Sequence, residues 1–251
     1  MDFSNKGIMI WRTRKLRLNR LVWIGLFLFL SFFIFKFFST IRPAFFFPKW
    51  KEYSVHGVDI SKYQGTIDWY QLKNHEVKFA FIKATEGKEL VDREFQTNWK
   101  RAREAGVARG AYHFYSPHLD WKIQARNFIS QVELEKGDLP PVLDIELVHH
   151  RDQLNLLLDI RKWLEVVEKH YGVRPILYTY ENYYNRFLLN EFRHYNLWIA
   201  KYSNSAPELE DAARWEFWQY SETGDLKGVE NKIDLNCFYG TEAQFRKILK
   251  K

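Results

Sequence analysis

From residue 55 onward, apolar runs of strand length alternate with amphipathic stretches of helical period, and this alternation narrows the fold more than any other feature. The strand-length runs are 56–60, 77–85, 108–115, 140–146, 175–180, 197–202, 217–220 and 233–238. Helices are expected over 67–72, 95–105, 120–135 with Asp120 as cap, 153–171, 183–192 and 241–249. The last opens on Thr241 and Gln244 at capping-box spacing, and the 153–171 stripe is read as Leu154, Leu157, Leu158, Arg161, Leu164 and Val167. Strands separated by crossover helices build parallel sheets, so about eight of them predict an irregular TIM-like β/α barrel, its helices reduced in the second half. An open doubly wound sheet is the alternative, but no Gly-rich phosphate loop follows the first strand.

The leader is of another kind. The formal net charge of +7 looks like a nucleic-acid footprint until it is divided along the chain. Residues 1–50 hold nine Lys or Arg against Asp2 alone, and the remaining 29 basic and 30 acidic residues nearly cancel, so no nucleic-acid partner is expected. Residues 21–38 (LVWIGLFLFLSFFIFKFF) are apolar apart from Ser31 and Lys36 and follow the basic cluster Arg12 to Arg20. About 18 residues at the helical rise just cross a hydrocarbon core, with Lys36 snorkelling to the far surface. The basic flank predicts a cytoplasmic N-terminus (1–20), a single-pass membrane anchor in the lipid bilayer (21–38), a stem (39–54) and a barrel domain (55–251) outside the cytoplasm. A cleaved signal peptide competes, but no small-x-small site follows the run. Cys237, the only cysteine, permits no intrachain disulfide and reads as a buried small residue.

Within the barrel the run Pro140-Pro141-Val142-Leu143-Asp144-Ile145-Glu146 ends in two acids one residue apart, which strand alternation sends to the same face. Alone, such a pair reads as a solvated strand end. Barrels of this class carry their reactive groups at the C-terminal ends of the strands, and Asp59 and Asp234 fall on the first and last strands, neighbours once the barrel closes. Tyr112, Tyr178, Trp198 and Trp218 are candidate walls of the resulting pocket. Acids among aromatic rings suit carbohydrates, whose ring faces stack and whose glycosidic oxygen needs a proton. Like charges held together raise a pKa, and Glu146, with the longer reach, is the better proton donor, leaving Asp144, Asp59 or Asp234 ionised. A divalent metal held by the acids is the main chemical alternative and a catalytically silent glycan-binding barrel the functional one, but there is no H-x-H or H-E-x-x-H pairing and no G-x-S-x-G turn, so neither metal nor cofactor is expected.

The blocks GVDISKYQGTIDW, FAFIKATEG, GAYHFY, PPVLDIE, LWIAKY, FWQY and IDLN, in that order, resemble the glycoside hydrolase family 25 lysozymes. The resemblance implies an N-acetylmuramidase that cuts the β-1,4 bond between N-acetylmuramic acid and N-acetylglucosamine in peptidoglycan. It implies Glu146 as general acid/base, Asp144 assisting through the substrate's 2-acetamido group, and Asp59 and Asp234 completing the acidic site. The candidate substrate-binding set is Tyr112, Tyr178, Trp198, Tyr202, Trp218 and Gln219. Two strand rises, about 6 to 7 Å, would separate Asp144 from Glu146 and leave room for the acetamido group.

Overall fold

A computed structural model of the chain describes residues 49–146 and 153–251. The strands are β1 (His56–Ile60), β2 (Val77–Glu86), β3 (Leu90–Val91), β4 (Ala108–Phe114), β5 (Val142–Asp144), β6 (Ile176–Tyr180), β7 (Asn196–Ala200), β8 (Phe217–Gly224) and β9 (Ile233–Phe238). β1, β2, β4, β5, β6, β7 and β8 pair in parallel, each with the next, and β9 runs antiparallel to both β8 and β1, closing the ring. β3 is a short hairpin on the end of β2, outside the ring. A barrel of eight strands matches the expectation; the reversed β9 does not follow the parallel pattern. Residues 225–232 hold no crossover helix, and a short link returns a chain antiparallel.

Strand alternation divides the interior into two cores. Along β2, Phe79 and Phe81 face the lumen, while Ala80, Ile82 and Ala84 face the helical shell. The bulky lumen rings need space on the adjacent strands, β1 and β4. A Cβ on Gly57 would sit 2.5 Å from the Phe79 ring, and one on Gly110 would sit 2.8 Å from Phe81.

The helices are α1 (Trp69–Asn74), α2 (Phe95–Glu104), α3 (Trp121–Gln131), α4 (Gln153–Tyr171) and α5 (Glu242–Ile248). α1 starts later than expected because Asp68 caps it, its Oδ1 accepting from the Gln71 N–H at 3.1 Å. α3 keeps Asp120 as cap but stops at Gln131. Beyond it the chain is held as a loop by Asp138, which accepts from the Glu135 N–H and from Arg109, at 2.8 Å each. The α4 stripe is in a different phase from the one expected. Leu156, Ile160, Trp163, Leu164, Val167 and Tyr171 are buried, and Leu154 and Leu158 are exposed. Where a helix over 183–192 was expected there are three helical residues, Glu181–Tyr183, and a π-turn, Tyr184–Leu188. Asn190, at φ 66°, ends the helical path. The thin second half agrees with the expectation.

α5 closes the base of the barrel, where Phe245 meets Phe79, Phe217 and Phe238 at centroid distances of 5.6, 6.4 and 5.4 Å. The barrel also takes in part of the expected stem, since the Tyr53 ring packs on Trp215 at 5.6 Å and Tyr239 at 5.7 Å. The expected anchor, 21–38, lies outside the described residues. Among those described, no helix is long and apolar enough to cross a membrane.

Candidate active site

The site is built upward from the lumen rings. Trp198, on β7, stacks on Phe81 at 4.2 Å and forms a floor only 2% exposed. Its indole N–H donates to Asn236 Oδ1 at 2.8 Å, and the Asn236 amide donates in turn to Asp59 Oδ2 at 2.7 Å. Gln219, on β8, donates to the same Asp59 oxygen at 2.8 Å. Gln219 Oε1 accepts from the hydroxyls of Tyr178 at 2.7 Å and Tyr202 at 3.1 Å. Four strands are thereby tied to one carboxylate. All of these polar groups but Tyr202 are buried, and each hydrogen bond among the buried groups offsets a desolvation cost of about 1–3 kcal/mol.

The acids arrive in two pairs. Asp59 and Asp234 are register partners across β1 and β9, and because β9 is reversed, Asp234 stands near its start rather than its end. Asp144 ends β5, and Glu146 lies two residues beyond the strand. Glu146 and Asp144 stand close enough for each carboxyl to influence the protonation of the other. The Tyr180 hydroxyl reaches Glu146 Oε2 at 3.5 Å. Asp144 Oδ1 is buried without a hydrogen-bond partner.

Burial and like charge raise the affinity of both pairs for protons. Burial, then the Asp234 charge, holds Asp59 well above the usual carboxylate range, and burial pushes Asp234 up to about 6. Asp144 is raised well above its ordinary value by burial and then by the Glu146 charge. Glu146 is also raised by burial, but Tyr178, Asp144, Lys83 and Tyr180 all favour its charged form. Each pair therefore titrates as a unit, with its affinity for protons raised above that of an ordinary carboxylate.

The structure brings Asp59, Asp144, Glu146, Asp234, Tyr112, Tyr178, Trp198, Tyr202 and Gln219 together. Tyr112 is half-buried at 6.5 Å from Trp198, its hydroxyl held above the ordinary range by burial and by the Asp59 and Asp144 charges. Tyr202 is an exposed ring at the rim, past the end of β7. Trp218 is a correction. With Gln219 pointing into the lumen, alternation turns its neighbour outward, and Trp218 is fully buried in the outer core against Tyr53 and Trp215, donating to the Lys201 carbonyl at 2.8 Å.

Two participants escaped the sequence reading, and strand period held the signal for both. Lys83 follows Phe79 and Phe81 at steps of two, and so tops the lumen face of β2, where it binds Glu86 at 2.7 Å. Asn236 shares the face of Asp234. His113 is outside the chemistry, buried between Thr85 and Gln124 and stacked on Trp163, and burial pulls its ring down to about 3. Among the described residues no three His, Cys, Asp or Glu side chains are set to hold a metal ion.

Residues 58–229 match the pattern of glycosyl hydrolases family 25. The chain belongs to that family. Lysozyme M1 of Streptomyces globisporus is 34% identical over 207 residues, covering 76% of this chain and 69% of that protein. YegX of Escherichia coli strain K12 is 40% identical over 194 residues, covering 75% of this chain and 71% of YegX. Among solved structures, a family 25 glycosyl hydrolase from Bacillus anthracis superposes with a TM-score of 0.74 at 38% identity, covering 78% of this chain and 94% of that one. The protein is thus a glycoside hydrolase, and its family 25 barrel carries the acidic lumen described above. Beside the acids, the mouth of this family 25 site opens past Tyr202 into a cavity of about 460 Å³ that also includes Ser203, Asn204, Glu222 and Thr223.

Proposed function

We propose that the protein is a membrane-tethered peptidoglycan hydrolase, a lysozyme that cleaves the β-1,4 bond between N-acetylmuramic acid and N-acetylglucosamine. The observation that carries the reading is the unpartnered Asp144 Oδ1, buried near the Glu146 carboxyl. A buried acceptor left unmade awaits a donor, and the N–H of a 2-acetamido group is one the substrate brings. As that N–H approaches, the anionic form of Asp144 gains a hydrogen bond, which leaves the proton of the coupled pair on Glu146. Glu146 then gives the proton to the glycosidic oxygen as the bond breaks. Asp144 holds the acetamido group so that its carbonyl oxygen meets the developing positive charge at the sugar's anomeric carbon, and water completes the cleavage with Glu146 as base. Asp59 and Asp234 add negative potential that favours the oxocarbenium-like state.

The tether rests on sequence: the apolar run 21–38 and its basic flank put the catalytic domain outside the cytoplasm at the cell membrane. Tethering raises the local concentration of enzyme at its wall. The test is release of muropeptides with new muramic-acid reducing ends from purified peptidoglycan. Glu146→Gln is expected to lower the rate by about 10²-fold or more. Glycan binding without any new reducing ends would overturn the proposed activity.

A further inference from the structure

The barrel has a second concave face, at the end away from the acids. There a cavity of about 660 Å³ lies between the starts of β5, β6 and β7 and the end of α5, lined by Arg174, Lys247, Lys250 and Lys251 with no acidic side chain. Arg174 is weakly paired with Glu168 at 3.5 Å, and Lys250 donates to the Leu134 carbonyl at 2.8 Å. No ion pair ties Lys247, Lys250 or Lys251 to a carboxylate among the described residues. The nearby acids are taken elsewhere, Glu135 and Asp138 by Arg103 and Arg109, and Glu242 by Lys78 and Arg246. Positive charge is thus concentrated on a domain whose acids and bases otherwise cancel.

The same end receives the chain. The turn Lys49–Glu52 leads to Tyr53, which packs at the base on Trp215 and Tyr239, and then into the start of β1. Residues 39–48 can span at most about 35 Å when fully extended.

We propose that this basic face docks on an anionic phospholipid surface, with the cleft directed away from the bilayer toward the wall. The proposal rests on the tethered reading and adds to it an orientation set by charge. Lysines at such a surface face phosphate headgroups, and the attraction falls off within a Debye length. The acids at the opposite end would be repelled by the same surface, which reinforces the one orientation.

The test uses the full chain in vesicles of phosphatidylcholine alone and of phosphatidylcholine mixed with phosphatidylglycerol, with lysine acetylation read by mass spectrometry. Lys247, Lys250 and Lys251 are expected to react several-fold more slowly in the anionic vesicles, with Lys62 and Lys227 at the cleft end unchanged. High salt should erase the difference. The double substitution Lys247→Glu and Lys251→Glu should remove protection of Lys250 without changing cleavage of soluble glycan fragments. Equal labelling in both vesicle types would overturn the proposal, as would equal protection in both, which marks another occupant such as a second copy of the chain. A chain that fails to associate with neutral vesicles would refute the tether instead, leaving dependence on the anionic lipid as a separate result.

Discussion

Replacing Asp234 with asparagine should stabilise the barrel while impairing its site. Burial holds the Asp234 carboxyl at about 6, against an ordinary value of 3.8. An acid whose pKa is raised by folding binds its proton more tightly in the native state, so its contribution to stability falls as pH climbs from the unfolded value to the folded one. The rise of about two units corresponds to about 3 kcal/mol at about 1.4 kcal/mol per unit. That penalty is absent below about pH 4 and complete somewhat above pH 6. Partial exposure of the carboxyl makes this an upper figure. An amide of the same shape removes the charge, and its oxygen can still accept from Asp59. Urea unfolding of the barrel domain should show Asp234→Asn more stable by up to about 3 kcal/mol near pH 7.5, a melting shift of about 6–12 °C, and near parity with the parent at about pH 4. A gain equally large at pH 4, or none at pH 7.5, would refute the assignment of a raised, like-charged pair.

Lys83→Met removes a charge that holds down both Asp144 and Glu146, so both limbs of the pH–rate profile should move to higher pH; limbs that stay in place would contradict that coupling. Gln219→Ala takes partners from Tyr178, Tyr202 and Asp59, and should cost about 1–3 kcal/mol in urea unfolding together with a fall in kcat. Trp198→Phe leaves the fully buried Asn236 Oδ1 without its donor and should lower kcat, whereas Trp218→Phe should alter stability but leave the glycan KM unchanged. A raised KM in the Trp218 variant would restore that ring to the cleft.

The barrel was legible because its strands are short, apolar and regularly spaced, and the four acids were legible because strand ends can be located once strands are. What escaped was phase and direction. Trp218 and Gln219 are adjacent, and nothing local says which of them faces the lumen; only the network around Gln219 decides. On α4 leucines lie on several sides of the helix, and the large side chains Ile160 and Trp163, rather than the count of leucines, set the buried face. The reversal of β9 depends on the missing helix after β8. Lys83 was overlooked although the two-residue period from Phe79 and Phe81 pointed to it.

The pairing of β1 with β9 joins residues from opposite ends of the domain, and Asp59 acquires the Asn236 amide and the Asp234 neighbour only through that seam. A nascent chain that has not yet delivered residues 233–238 has half an acidic site and an open barrel. The closing of the barrel and the completion of the acidic cluster are thus one event, the docking of β9 on β1.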